Sequence, residues 1–260
     1  MTSFTYGGTA LSSFGTVTVM NSYLNFANRR GDNQVIPFRD GAVHVNKFFD
    51  QRILTFGITI QKSSAANLES SLDDLRKLFS PRTTQTLAMT LESAAVRNIS
   101  ATVDREMEVE RFGPYIAKVV VEFVCAKPVW RLSSAITDNT TTIDASPKAM
   151  TVTNPGTVQE RDATIILTGP LQNTVITNST NGLTLTYTGT IASPRVVTIS
   201  TSATGEYLAT TDLAANVIGN VTHTGDACLM AFNPGDNTMS ITDATATTGT
   251  VKVTFNAPYL

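Results

Sequence analysis

Tryptophan occurs once in this chain, histidine and cysteine twice each, and charged side chains make up only 15% of its 260 residues. Each scarcity removes a class of function. Cys125 and Cys228 fall in different halves of the sequence and match no zinc or redox spacing, so they read as buried thiols, not as a disulfide framework. His44 and His223 stand in strand-like surroundings with no Cys or Asp at ligand spacing, and no nucleophile elbow or phosphate-binding loop occurs. A reaction needs nucleophile, base and stabiliser within reach of one another, so no catalytic, metal or cofactor site is expected. No apolar run approaches the roughly 20 residues of a membrane span. The start, MTSFTYGGTALSSF, lacks the basic residues and apolar core of a secretory leader, and folding in a reducing cytosol is expected. Asn98, Asn139, Asn178 and Asn220, each two residues before Ser or Thr, are then chance matches in a Thr-rich chain, not glycosylation sites.

What charge there is lies unevenly. Up to Arg131 the chain holds 15 of the 19 Lys and Arg and 12 of the 21 Asp and Glu; the remainder holds 4 and 9. Net charges of +3 and −5 suit neither a basic nucleic-acid arm nor a disordered acidic tail. The second part is instead crowded with Thr, Val, Ile, Asn and Gly, the composition of strands and turns. Between the two runs KVVVEFVCAKPVWRL, residues 118–132. Val119, Val120, Val121, Phe123 and Val124 are strong strand formers, and Pro128 cannot continue a central ladder, so a buried strand ends here and a second domain follows.

Hydrophobic period supplies the elements. Alternation over 14–20 and 52–60, with further short strands at 24–26, 35–38 and 40–45, makes the first third mostly β. From Ser64 the period changes: Leu68, Leu72, Leu75 and Phe79 form one stripe of an amphipathic helix, capped by Ser63 or Ser64 and stopped at Ser80-Pro81. So short a helix is marginal alone, and its stripe is expected to pack on Val119 to Val124. Strands resume at 86–91, and 99–124 reads as one long hairpin turning at Arg111-Phe-Gly-Pro-Tyr115. On its outgoing arm Asp104, Glu106, Glu108 and Glu110 recur at every second position, which makes one face acidic. That stripe reads as a solvated outer face or as a channel wall; without His or a loop pattern it lacks the rest of a divalent-metal site. Residues 133–147 read as a linker. Beyond them Asn154-Pro-Gly156, Gly169-Pro170, Asn181-Gly182 and Asn233-Pro-Gly-Asp-Asn237 punctuate short strands in the spacing of a β-sandwich.

Other candidates have bland readings. Asp73 and Asp74 point about 100° apart on a helix and suit acid–base work poorly. Arg29 and Arg30 read as solvated or as an interface contact. Trp130, Tyr187 and Tyr207 could stack on a sugar, but Trp130 stands at the seam and Tyr187 alternates with Thr like an ordinary strand residue.

In sequence order, these landmarks resemble the distal tail protein (Dit) family of siphophages, the siphovirus tail component family. The likeness rests on the helix LESSLDDLRKLF, on Val96-Arg-Asn-Ile-Ser-Ala-Thr-Val103, on the close VEFVCAKPVW, and then on Asn154-Pro-Gly156, residues 165–169, Asn181-Gly-Leu-Thr-Leu-Thr-Tyr187, Phe232-Asn-Pro-Gly-Asp-Asn237 and Phe255-Asn-Ala-Pro-Tyr-Leu260. It implies a mainly β fold. Residues 1–132 would be a ring-forming, tail-tube-like, β-sandwich-like domain with one packed helix and a long hairpin; 133–147 a linker; 148–260 a galectin-like β-sandwich. The implied role is structural and not enzymatic: a hexameric ring at the virion's distal tail tip, assembled in the host cytoplasm. It would join the tail tube protein to tip and receptor-binding proteins, with DNA met only in transit and no membrane insertion. The acidic residues Asp104, Glu106, Glu108 and Glu110 would then line the lumen and repel passing phosphates. A carbohydrate-binding adhesion module and a tail tube subunit are the alternative readings.

Overall fold

In the computed structural model, the residues described are 2–20, 25, 27–31, 33–35, 40, 42–43, 48–81, 83–202, 205–225, 228–245 and 248–260. The chain divides into two units, Met1–Arg131 with Leu260, and Leu132–Tyr259.

The first unit holds β1 (Ser3–Tyr6), β2 (Thr9–Ala10), β3 (Thr16–Val19), β4 (Arg29–Arg30), β5 (Gln34–Val35), β6 (Ala42–Val43), β7 (Phe48–Phe49), β8 (Arg52–Gln61), α1 (Ala65–Phe79), β9 (Gln85–Thr90), β10 (Val96–Val103), β11 (Glu108–Arg111) and β12 (Ile116–Cys125). The expected strands at 24–26 and 36–38, and much of 40–45 including His44, lie outside the described residues. Strand β12 lies at the centre, as its β-branched run leads one to expect: β8 pairs along all ten of its residues, and β10 and β11 share its other side. Strand β3 extends the sheet beyond β8. Strand β10 also pairs with β9, and β9 with β1.

Alternation decides which of these residues form the core. Ala117, Val119, Val121, Phe123 and Cys125 are buried, whereas Val120 and Val124 point to the opposite face and stay half-exposed, so only alternate members of the valine run lie beneath α1. The buried helix stripe is the expected Leu68, Leu72, Leu75 and Phe79. Phe79 meets Phe123 at 5.8 Å, and Tyr6 meets Phe123 at 4.8 Å. Phe56 lies edge-on to Phe123 at 5.3 Å and Phe4 to Phe56 at 4.9 Å, which places β1 across the core from β8 and β12. At the helix start the Ser64 hydroxyl accepts the Asn67 amide at 3.2 Å, while Arg76 and Lys77 in the last turn oppose the dipole.

The second unit holds β13 (Trp130–Thr142, from Leu132 onward), β14 (Lys148–Asn154), β15 (Thr164–Thr168), β16 (Leu171–Asn178), β17 (Leu183–Ile191), β18 (Val196–Thr201), β19 (Tyr207–Thr211), β20 (Val221–His223), β21 (Gly235–Thr242) and β22 (Thr250–Tyr259). They form two sheets, β14-β21-β16-β17-β20 and β19-β18-β15-β22-β13. Residues from both, among them Val152, Ile165, Leu167, Ile176, Leu185, Met239 and Val253, make one core. The Asn181-Gly182 turn joins β16 to β17 as expected, with Gly182 at φ +75° and its amide donating to the Asn178 carbonyl.

One expectation fails and another holds only in part. Residues 133–147 are not a free linker: β13 runs to Thr142 beside β22, the Asn256 amide donates to the Leu132 carbonyl at 2.6 Å, and Ile143 is buried. Ser and Thr serve as well on a half-exposed strand as in a loop. The long hairpin is also broken, because 104–107 leave the ladder. Val103 pairs with Phe123 and Glu108 with Val120, so five steps on one arm match three on the other and two extra residues bulge out.

Candidate functional site

The four-stranded sheet β11-β12-β8-β3 has one face under the helix and, among the described residues, one open. Directly opposed residues share a face, so the register assigns each side chain. The covered face carries Val109 opposite Val119, Arg111 opposite Ala117, Val17 opposite Ile58 and Val19 opposite Phe56. Arg111 reaches Glu69 of α1 at 3.4 Å, which ties the hairpin to the helix. The open face carries Glu108 opposite Val120, Glu110 opposite Lys118, and beyond them Glu122, Thr55, Thr59, Thr16 and Thr18. Met20 and Ile53 add exposed apolar surface, at 53% and 40% exposure.

The acidic stripe is therefore shorter than the sequence suggests. All four carboxylates are exposed, but Asp104 and Glu106 sit in the bulge and only Glu108 and Glu110 occupy a strand. Their neighbours soften the charge. Lys118 faces Glu110 across the ladder, and Arg105 from the bulge pairs with Glu122 at 3.1 Å. On the covered side the bulge opens a cleft of about 370 Å³ at the helix C-terminus, lined by Phe79, Val103, Met107 and Val109, with Arg76 and Arg105 beside them.

Each outer strand of this sheet, β3 and β11, has no second strand partner among the described residues. Glycine at position 15 lets β3 approach closely: a Cβ there would collide with the Thr59 carbonyl oxygen.

Elsewhere the residues singled out in the sequence do not converge. Cys125 and Cys228 are free and buried; burial pushes the Cys125 thiol up to about 12 despite Arg52 beside it, so neither thiolate forms at neutral pH to attack anything. Asp73 and Asp74 pair with Arg76 and Lys77 on the exposed side of α1. Arg29 lies over the Phe49 ring at 5.4 Å. Trp130 and Tyr187 are buried, so neither offers a ring to a sugar, and Tyr207 packs edge-on against His223 at 5.1 Å. Among the described residues, no group of three or more His, Cys, Asp or Glu is placed to hold a metal ion.

Sequence reasoning missed the polar interior of the second unit. Asn154, Asn178 and Asn237 are fully buried and hold the irregular segment ending at Asn233. Asn154 donates to the Phe232 carbonyl at 3.0 Å, Asn178 to the Ala231 carbonyl at 2.8 Å, and Asn237 to the Asn233 carbonyl at 2.8 Å. The signal was present in the two Asn-Pro-Gly words. In the first of them the Asn154 side chain accepts the Gly156 amide, and a Cβ on Gly156 would strike the Pro258 carbonyl. Asp243, also buried, accepts from the Gln172 and Thr245 amides and from the Thr174 and Thr245 hydroxyls. Burial alone would raise its pKa, but these hydrogen bonds outweigh burial and hold the carboxyl below its ordinary value.

No curated protein matches the chain. Residues 13–125 match the phage tail protein RIFT-related domain. Among solved structures, the Dit protein (gp 19.1) of phage SPP1, described as a paradigm of the hub adsorption apparatus in phages infecting Gram-positive bacteria, aligns over 98% of this chain and 99% of its own, with TM-score 0.70 and 13% identity. A chain of the phage p2 baseplate in its activated conformation with strontium aligns over 100% of both chains, with TM-score 0.46 and 9% identity. Residues 13–125 thus resemble a phage tail protein RIFT-related domain, and the chain shares the mainly β fold of the SPP1 Dit protein.

Proposed function

We propose that this protein is a structural subunit of a phage tail hub, a ring at the distal end of the tail that connects the tube to the tip and its host-recognition proteins. The observation that carries this reading is the likeness to SPP1 Dit over nearly the whole length of both chains, joined to a tail-protein domain match over 13–125. The site geometry fits a scaffold and not a catalyst: buried thiols, exposed carboxylates already paired or spread apart, and one open sheet face.

In this reading the protein acts by assembly. Six copies form the ring, the first unit supplies its body, and the open face of β11-β12-β8-β3 lines the lumen. That wall is neutral hydroxyls with a modest excess of carboxylate from Glu108, Glu110 and Glu122, enough to keep phosphates from adhering and short of a strongly charged collar. Tail tube and tip proteins dock on the two ends of the ring, and the chain resides in the virion.

Electron microscopy and native mass spectrometry of the purified chain test the proposal. Discrete rings are expected; long tubes would identify a tube subunit instead, and a monomer that binds on a glycan array would identify an adhesion module. For the lumen, Glu108→Gln with Glu110→Gln in the phage should leave particles assembled and slow genome ejection. Unchanged ejection kinetics would remove these carboxylates from the channel wall.

A further inference from the structure

Asn181 is the only asparagine of the chain followed by glycine, and the same two residues form the turn between β16 and β17. We infer that Asn181 is a site of spontaneous deamidation whose rate is set by its hold on the segment ending at Asn233: the closed turn suppresses the reaction, and loosening of that hold releases it.

The step needs only water. The Gly182 nitrogen, having lost its proton to solvent, attacks Cγ of Asn181; the N–Cγ bond forms, the Cγ–Nδ2 bond breaks, and Nδ2 takes up a proton and leaves as ammonia. Water then opens the cyclic imide at either of its carbonyls, giving an aspartyl or an isoaspartyl linkage, with nothing oxidised or reduced. Glycine favours the attack because no Cβ shields its nitrogen. Gly182 is exposed and Asn181 half-buried, so water reaches both.

In the folded turn each reacting atom is engaged elsewhere. The Gly182 amide donates to the Asn178 carbonyl at 2.8 Å, which retains the proton it must lose. The Asn181 Nδ2 donates to the Ala231 carbonyl at 2.8 Å, and its Oδ1 accepts the Leu183 amide at 3.1 Å. The bond to Oδ1 polarises the carboxamide and favours attack. The other two oppose it, because the side chain cannot swing onto its own main chain while it grips Ala231. That carbonyl belongs to a buried segment which Asn178 and Asn237 also hold, so the grip lasts only as long as the segment stays packed. Local opening therefore governs the rate. The product locks the change in: a carboxylate has no hydrogen to give the Ala231 carbonyl, and the isoaspartyl form lengthens the main chain of a tight turn.

The test uses the full chain, incubated in warm, mildly alkaline buffer made with water labelled in its oxygen, and follows every asparagine by peptide mass spectrometry. In guanidinium, residue 181 should convert ahead of all others. In the folded chain its conversion should be slower by about tenfold or more, and Asn237→Ala, which loosens the segment, should restore much of the unfolded rate. If that variant does not fold, guanidinium below the unfolding transition of the unaltered chain loosens the same segment and should give the same rise. Gly182→Ala, compared in guanidinium where folding plays no part, should slow conversion. Equal rates in the folded and unfolded chain would overturn the gate, as would a loosened segment that left the folded rate unchanged. An unfolded chain that spared residue 181 would overturn the site.

Discussion

The two units solve the burial problem in opposite ways. The first closes its core with aromatic rings and a helix, and among the described residues leaves one sheet face and the outer strands β3 and β11 uncovered. The second presses two five-stranded sheets around one core and keeps asparagines and an aspartate inside it, each hydrogen-bonded. In the second unit Asn154, Asn178, Asn237 and Asp243 find their hydrogen-bond partners inside the unit. The difference is one of packing chemistry, and each unit can be perturbed by its own kind of substitution.

The largest effect is expected at Phe123, the ring on which Tyr6, Phe56 and Phe79 converge. Phe123→Ala should destabilise the first unit by about 3–5 kcal/mol, read by urea denaturation; a loss below about 1 kcal/mol would mean that the aromatic cluster is not its centre. In the second unit the matching change is polar. Asn237→Ala removes donors to three carbonyls and the acceptor for the Asn233 amide, and should cost about 2–3 kcal/mol. Asn237→Asp, equal in shape, should rescue little, because a carboxylate cannot donate; full rescue would show that packing and not hydrogen bonding matters there.

Asp243 gives the comparison a pH axis. Its folded pKa lies below the ordinary value near 3.9, so its stabilisation is present above that value and disappears as pH falls through the folded pKa. Asp243→Asn turns an amide donor toward groups that themselves donate, and should lower stability by about 1–2 kcal/mol at neutral pH. The gap from the unaltered protein should be constant above about pH 5 and narrow below about pH 4; a pH-independent gap would contradict the assignment. The smallest effect concerns the helix. Ser64→Ala removes the cap on the Asn67 amide and should cost about 1 kcal/mol, read by urea denaturation; no measurable loss would mean that the cap adds nothing to the helix.

Much of this was legible from the chain alone where one element's period decides the matter. The stripe Leu68, Leu72, Leu75, Phe79, its Ser64 cap and the Asn181-Gly182 turn all appear where the residues place them. Less legible was anything that depends on a partner strand. Asp104, Glu106, Glu108 and Glu110 alternate faultlessly, yet β10 exchanges β9 for β12 within two residues and the chain bulges before β11 begins. Thr and Ser in 133–142 suit a loop and a strand equally until β22 lies alongside. The buried asparagines look like turn residues, which they are; that their amides also clamp 231–233 depends on contacts dozens of positions away.

By itself the sequence determined the mainly β class, the helix after Ser64 with its buried face, the burial of both cysteines and the change of character near Arg131, because composition, period and capping act over a few neighbouring residues. Only the tertiary structure decided which face of the central sheet is covered, where the acidic stripe breaks, and that β3 and β11 are the outer strands of that sheet among the described residues. Those follow from register and strand order, which are set by pairing between distant segments and leave no trace in local pattern.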